Sequence, residues 1–386
     1  MSSLPPPHER AFASGLSAHP DPAEAVAEVV VQVSERLPGA PTMAVVFASG
    51  SAVAVLDQVV AAIDALLGPE TLIGATAVGV LAGSEEIEEG DGLALWAATG
   101  VPATPVRLES LGGSPPLVVG LPDSGPGGLV EGSTLVVLAD PYTFAVDAFV
   151  AELNESARPV HLVGGLASAT GGPERNRLVL GSEVHLSGAV GLVLPPGVAD
   201  PVVSQGCRPI GSPWVVTEAQ GQMVHQLGGR QALERLNEVI ESLSDTDRSA
   251  AARGLHVGIV ANDQQATFDQ GDFLIRGLLG ADRGTGAVAI GDRAEVGQVL
   301  QFQVRDEASA SSELDRLLSP VEGRGALVFT CNGRGSHLFS VANHDAARVH
   351  QSLGPAVAGM FCAGELGPIA DRNAVHGFTA TVLAFH

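Results

Sequence analysis

The residue types able to do chemistry crowd into the stretch from Cys331 to Thr379. Cys331-Asn332-Gly333-Arg334-Gly335-Ser336 directly follows an apolar run. A strand-end loop with Gly333 and Gly335 can turn sharply and aim backbone N–H groups at an anion. Arg334 adds a planar fork suited to a carboxylate or phosphate. A second apolar run ends at Gly364-Glu365-Leu366-Gly367, where Glu365 could meet an amine. His376-Gly377-Phe378-Thr379 then opens the last strand. Arg305 and Thr76 stand at the ends of two further apolar runs. A cation, an anion and an imidazole at neighbouring strand ends would suit a zwitterion. The ligand set expected from this pattern is Arg334, Glu365, His376, Arg305, Cys331, Asn332, Gly333, Gly335, Gly364, Thr379 and Thr76.

Plainer roles compete at each position. Arg334 and Glu365 could neutralise one another, because buried charges demand partners. His376 could be a packed strand-edge histidine. Cys331 and Cys362 read as packed thiols. Cys207 beside Arg208 has the better setting for a thiolate but no visible base. Asp306 reads as the cap of a following helix. The acidic run Glu85, Glu86, Glu88 and Glu89 reads as a solvated turn, and no metal site is expected. An enzymatic reading would take Cys331 as nucleophile with Glu365 and His376 as acid–base partners. No hydrolase or transferase spacing supports it, and an enzyme is the weaker expectation.

Composition removes whole classes. The 386 residues carry 20 basic side chains, all Arg, against 43 acidic ones, a net charge of −23. Without lysine there is no Walker A loop, no protein-kinase strand lysine and no Schiff base. The negative charge argues against nucleic acid and anionic membranes, both polyanions. Three cysteines without a C-x-x-C pair give neither a disulfide framework nor a structural zinc site. The start lacks a secretory pattern and no run reaches 18 apolar residues, so a cytoplasmic chain is expected.

The elements that must position these residues recur. Four β-α-β-β units are expected, in two pairs. Their first strands lie at 44–47, 135–138, 255–260 and 326–330. Helices follow around 56–67, 146–153, 273–279 and 345–353. Phe47 to Gly74, Leu138 to Gly164 and Phe329 to Gly359 span 27, 26 and 30 residues. Glycine inside a strand marks a bulge or a close approach of another backbone or a ligand. Asp21-Pro22-Ala23-Glu24 is a helix-start signature. The polar stretch 244–253 carries no element in this reading. The expected fold is mixed α/β, or α+β, in two pseudo-repeated domains with helices packed on mixed sheets. They follow a loose tail at 1–20 and cover 21–230 and 231–386.

These motifs together resemble the FIST proteins, with their paired FIST N and FIST C domains. The resemblance rests on Leu72 to Val80, Gly164-Gly165-Leu166-Ala167-Ser168 and Gly206-Cys207-Arg208-Pro209-Ile210-Gly211 in the first half. In the second it rests on Gly271 to Arg276, Gly297 to Asp306, Cys331 to Gly335, Gly364 to Pro368 and His376 to Thr379. It implies a sensory signal-transduction module for small ligands such as amino acids. Some members are similar to haem-containing nitric-oxide sensors that act on partner histidine kinases. A haem would need an axial histidine, for which His225, His256 and His376 are the candidates. With no F-box, kinase or methyl-accepting segment in the chain, output is expected through a separate signalling partner.

Overall fold

Apolar runs flanked by turn residues become fully buried strands here, because each is covered on both faces. The structure is a computed structural model, and it describes residues 6, 9–122, 128–169, 172–262, 264–265 and 267–386. It divides into two compact units. One comprises Met1–Val203, Asp315–Val375 and Thr379–His386, the other Ser204–Leu314 and His376–Phe378. The sequence boundary near residue 230 therefore falls inside the second unit.

The first unit contains three of the four expected β-α-β-β modules. In the first, strand Met43–Ser49, helix Leu56–Leu67 and strand Leu72–Thr76 form a parallel crossover, and strand Gly92–Thr99 returns antiparallel. The second has Thr134–Ala139, Val146–Glu155, His161–Leu166 and Ala189–Leu194. The third has Gly325–Cys331, His344–Leu353, Val357–Cys362 and Thr379–Phe385. Val46, Val137 and Val328 stand opposite Gly74, Gly164 and Gly359 in the parallel pairs. A Cβ at those glycines would lie 2.4, 1.9 and 1.9 Å from the three valine carbonyl oxygens. The in-register glycines thus admit a neighbouring backbone.

The modules exchange hairpins in a closed cycle. Hairpin Val80–Ala82/Glu85–Ile87 of the first extends strand Val357–Cys362 of the third. Hairpin Leu178–Leu180/Glu183–His185 of the second extends strand Leu72–Thr76 of the first. Strand Glu365–Ile369 of the third extends His161–Leu166 of the second. Gly74, Gly164 and Gly359 pair with these borrowed strands at Val179, Leu366 and Leu81. One core draws Phe47, Trp96, Leu138, Leu192, Phe329 and Phe385 from all three sheets.

Several sequence expectations need correction. Residues 11–17 are not a loose tail. Ala11–Ser17 pairs along its length with Gly92–Thr99, while residues 1–5, 7 and 8 lie outside the described residues. Asp21 does cap the following helix, accepting the Ala23 N–H at 2.9 Å. Among the described residues the fourth expected module has no crossover helix. Phe273–Asp282 is a strand, so Arg276 is not helical. Its leucines fit either period over a short run, and pairing on both edges decides for the strand. It joins a closed antiparallel barrel in the second unit with Leu255–Val260, Val299–Arg305, Trp214–Gln220, Met223–Leu227 and Ala287–Ile290. The polar stretch after Ser244 is a helix, Asp245–Ala252, started by the Ser244 hydroxyl accepting the Asp247 N–H.

Candidate functional site

Strand Gly325–Cys331 carries the chain through the first unit's core and ends at the expected polar loop. The loop turns at once, Arg334 N–H donating to Cys331 O at 2.8 Å. Gly335 takes a left-handed φ of +53°. This turn puts Arg334 inside the protein with 0% exposure. A buried guanidinium needs an acid, and it is Asp345, not Glu365. Asp345 lies in the first turn of helix His344–Leu353, and its two oxygens accept from Arg334 Nε and Nη2 at 2.7 Å each.

Further donors converge on the same carboxylate. Thr330 Oγ1 donates at 2.7 Å, and His344 Nδ1 lies 2.9 Å from Oδ1. Arg348 Nε donates to His344 Nε2 at 2.9 Å, which leaves the imidazole proton on Nδ1, facing Asp345. Phe339 stacks flat on His344 at 3.3 Å. Burial opposes the Asp345 charge, but Arg334 and His344 outweigh it and hold the carboxyl well below the usual range. The sequence reading missed this partner; its signal was an acid in the first turn of a helix beside a buried arginine.

Glu365 lies beside this pair with a different balance. Its Oε2 accepts from Thr379 Oγ1 at 2.9 Å and Thr379 N–H at 3.2 Å. Burial pushes its pKa up to about 8, against the pull of Thr379, Arg334 and Cys331. It is therefore largely protonated at neutral pH. Glu365 Oε1 and Arg334 Nη1 are both buried without a hydrogen-bond partner of ordinary geometry among the described residues. Burial, then Glu365, raises the Cys362 thiol well above its ordinary value, which favours the protonated form.

The anion-cradling loop exists, and the chain itself fills it. Ser336 N–H donates to both Glu88 carboxylate oxygens at 2.9 Å, and its hydroxyl to Oε2 at 2.6 Å. A Cβ at Gly335 would meet that carboxylate at 2.6 Å. Glu86 reaches the following helix, accepting the Ala346 N–H at 2.8 Å. Burial, then Asp345, raises Glu86 to about 7. The acidic run is therefore not a solvated turn; two of its acids pin the exchanged hairpin to the third module.

The structure brings Arg334, Cys331, Glu365 and Thr379 together, with Gly333 and Gly335 in the same loop as Arg334. Asn332 is exposed and is held through its N–H to Cys362 O at 2.9 Å. Gly364 joins the second module, its carbonyl accepting the Leu166 N–H. Thr76 is buried and accepts the Arg177 N–H at 2.9 Å, a structural role. Arg305 and His376 belong to the second compact unit. There Arg305 lies 5.4 Å over the Phe378 ring. Cys207 is buried, and Arg208 is occupied by Asp247 and by Asp306 at 2.9 Å. Asp306 caps its helix as expected, accepting the Ser309 N–H at 2.7 Å.

Comparison with known families agrees with these motifs. The FIST N domain model matches residues 42–230 and the FIST C domain model residues 232–368. The chain belongs to the FIST family. It is 40% identical over 389 residues to the uncharacterized protein Mb0898c of Mycobacterium bovis, covering 96% of this chain and 97% of that one. The identity is the same to the uncharacterized protein MT0656 of Mycobacterium tuberculosis, over 96% and 98%. FIST proteins form a signal-transduction sensor family. Among the described residues no helix is long and apolar enough to cross a membrane, and no cluster of three or more metal-type side chains occurs. Of the three histidines named for a haem, His256 and His376 are buried, and Phe378 packs edge-on against the His256 ring at 4.3 Å.

Proposed function

We propose that this FIST protein is a cytoplasmic small-ligand sensor whose ligand is an amino acid or a related zwitterion. In this reading Arg334 Nη1 takes the ligand carboxylate and Glu365 takes its ammonium. The observation that supports it is the pair of buried polar atoms, Arg334 Nη1 and Glu365 Oε1, left without ordinary partners at two adjacent strand ends. Leaving such groups unmade costs about 1–3 kcal/mol each, and a zwitterion satisfies both. The three cysteines are buried and joined in no disulfide among the described residues, which suits a reducing compartment. The signal passes to a separate protein. Both side chains are fully buried, so entry needs the Arg334 loop to move, and Glu88 is the clamp that must yield.

Proton linkage gives the test. A bound ammonium favours the ionised form of Glu365, so binding releases a proton from a group near 8. Affinity should rise by up to about tenfold per pH unit as pH approaches 8. Titration calorimetry of the common amino acids at pH 6.5 and 8.5 reads this directly. Glu365→Gln should keep the fold, weaken binding and remove the pH dependence. Unchanged affinity in Glu365→Gln would sink the assignment.

A further inference from the structure

The second compact unit holds a separate group of unsatisfied polar atoms. In strand Val299–Arg305, Leu300, Phe302 and Val304 join the barrel core, so Gln303 projects from the opposite face. His256 stands directly across from it on strand Leu255–Val260. Gln303 is fully buried, yet neither its Nε2 nor its Oε1 has a partner among the described residues. Gln205 Oε1 and His256 Nδ1 are likewise buried and unpartnered.

These atoms share one neighbourhood. Gln205 Nε2 donates to Phe273 O at 2.6 Å. A Cβ at Gly258 would lie 2.5 Å from Gln303 Nε2 and 2.8 Å from the Phe273 ring. Glycine there is what lets amide and ring meet. His256 packs against Phe378 at 4.3 Å. Burial and Arg305 lower His256 to about 4, so the imidazole brings no charge at neutral pH. Two amides, a neutral imidazole and two aromatic rings are suited to a neutral polar guest.

We propose that Gln303, Gln205 and His256, beside Phe273 and Phe378, form a second ligand site for a small neutral molecule with an adjacent hydrogen-bond donor and acceptor. A primary carboxamide or the amide edge of a heteroaromatic ring has that pattern. Gln303 meets it with its own donor and acceptor, Gln205 Oε1 and His256 Nδ1 supply further contacts, and the rings cover the faces. This site does not depend on Arg334 or Glu365.

The experiment is thermal shift and calorimetry on the full chain with acetamide, nicotinamide and uracil. At least one probe is expected to raise Tm, with the shift lost in Gln303→Leu and kept in Glu365→Gln. Gln303→Leu removes two unpaired polar atoms at similar volume, so its unliganded Tm should equal or exceed that of the parent. If Gln303→Leu does not fold, Gln303→Met carries the same test. No shift with any probe at millimolar concentration, or a shift that survives the Gln303 variant, would overturn the proposal. Loss of amino-acid binding in Glu365→Gln concerns the first site alone.

Discussion

At the scale of single residues, the site is governed by two acids with opposite environments. Asp345 is locked as a carboxylate by Arg334, whereas Glu365 is kept largely protonated by burial. Asp345→Asn should cost about 3–5 kcal/mol, because it strands a buried guanidinium. Urea unfolding at pH 7 measures it. Glu365 has a folded pKa above the ordinary 4.5, so the folded state holds a proton the unfolded state has lost. Its contribution to stability therefore falls as pH rises from about 4.5 to about 8. Glu86 acts the same way up to about 7. His256, lowered to about 4, works in reverse, adding stability as pH rises from about 4 to 6.5. Between pH 7 and 8 the carboxyl of Glu365, facing Arg334, Cys331, Cys362 and Thr379, should dominate. Stability should drop there by up to about 1.4 kcal/mol per unit. Thermal melts of wild type and Glu365→Gln across that window check it, with the variant flat. Arg334 and Glu365 were legible in the sequence as charged residues in glycine-rich strand ends. Asp345 was not, because nothing local says which of many acids a buried arginine will meet.

At the scale of elements, the three aligned glycines do the same work in three modules. Gly359→Ala would set a methyl 1.9 Å from the Val328 carbonyl oxygen, where backbone has no rotamer to yield. A loss of about 1–3 kcal/mol is expected from such overpacking. Gly83→Ala is the control, since its Cβ position meets nothing within 4 Å. It carries only the strain of its left-handed φ of +58°. Comparing the two by denaturant midpoint separates steric contact from backbone strain. The spacing of Gly74, Gly164 and Gly359 was visible in the sequence, and so was the repeat. The hairpin exchange was not, because Val80–Ala82 is only three residues long and its partner strand begins at residue 357. The same blindness turned Glu86 and Glu88 into a solvated turn.

At the scale of the whole chain, the first compact unit is assembled from both family segments. The second module needs strand Glu365–Ile369, and the shared core needs Leu327, Phe329, Met360 and Phe385. A fragment of residues 1–231 would expose the faces those residues cover. It should fail to give a cooperative thermal transition or near-ultraviolet circular dichroism, while the full chain gives both. A stable, monomeric fragment would contradict the exchanged-hairpin architecture.

What the sequence determined by itself was local and periodic: the crossover helices, the in-register glycines, the polar strand-end loop and the family. These follow from patterns read over a few turns of helix or one strand, where side-chain period and turn chemistry suffice. What only the tertiary structure decided was pairing at a distance. It set Asp345 against Arg334, filled the Ser336 loop with Glu88, made Phe273–Asp282 a barrel strand, and placed Arg305 and His376 in the second unit. Each depends on which buried group finds which partner, and burial is a property of the closed core.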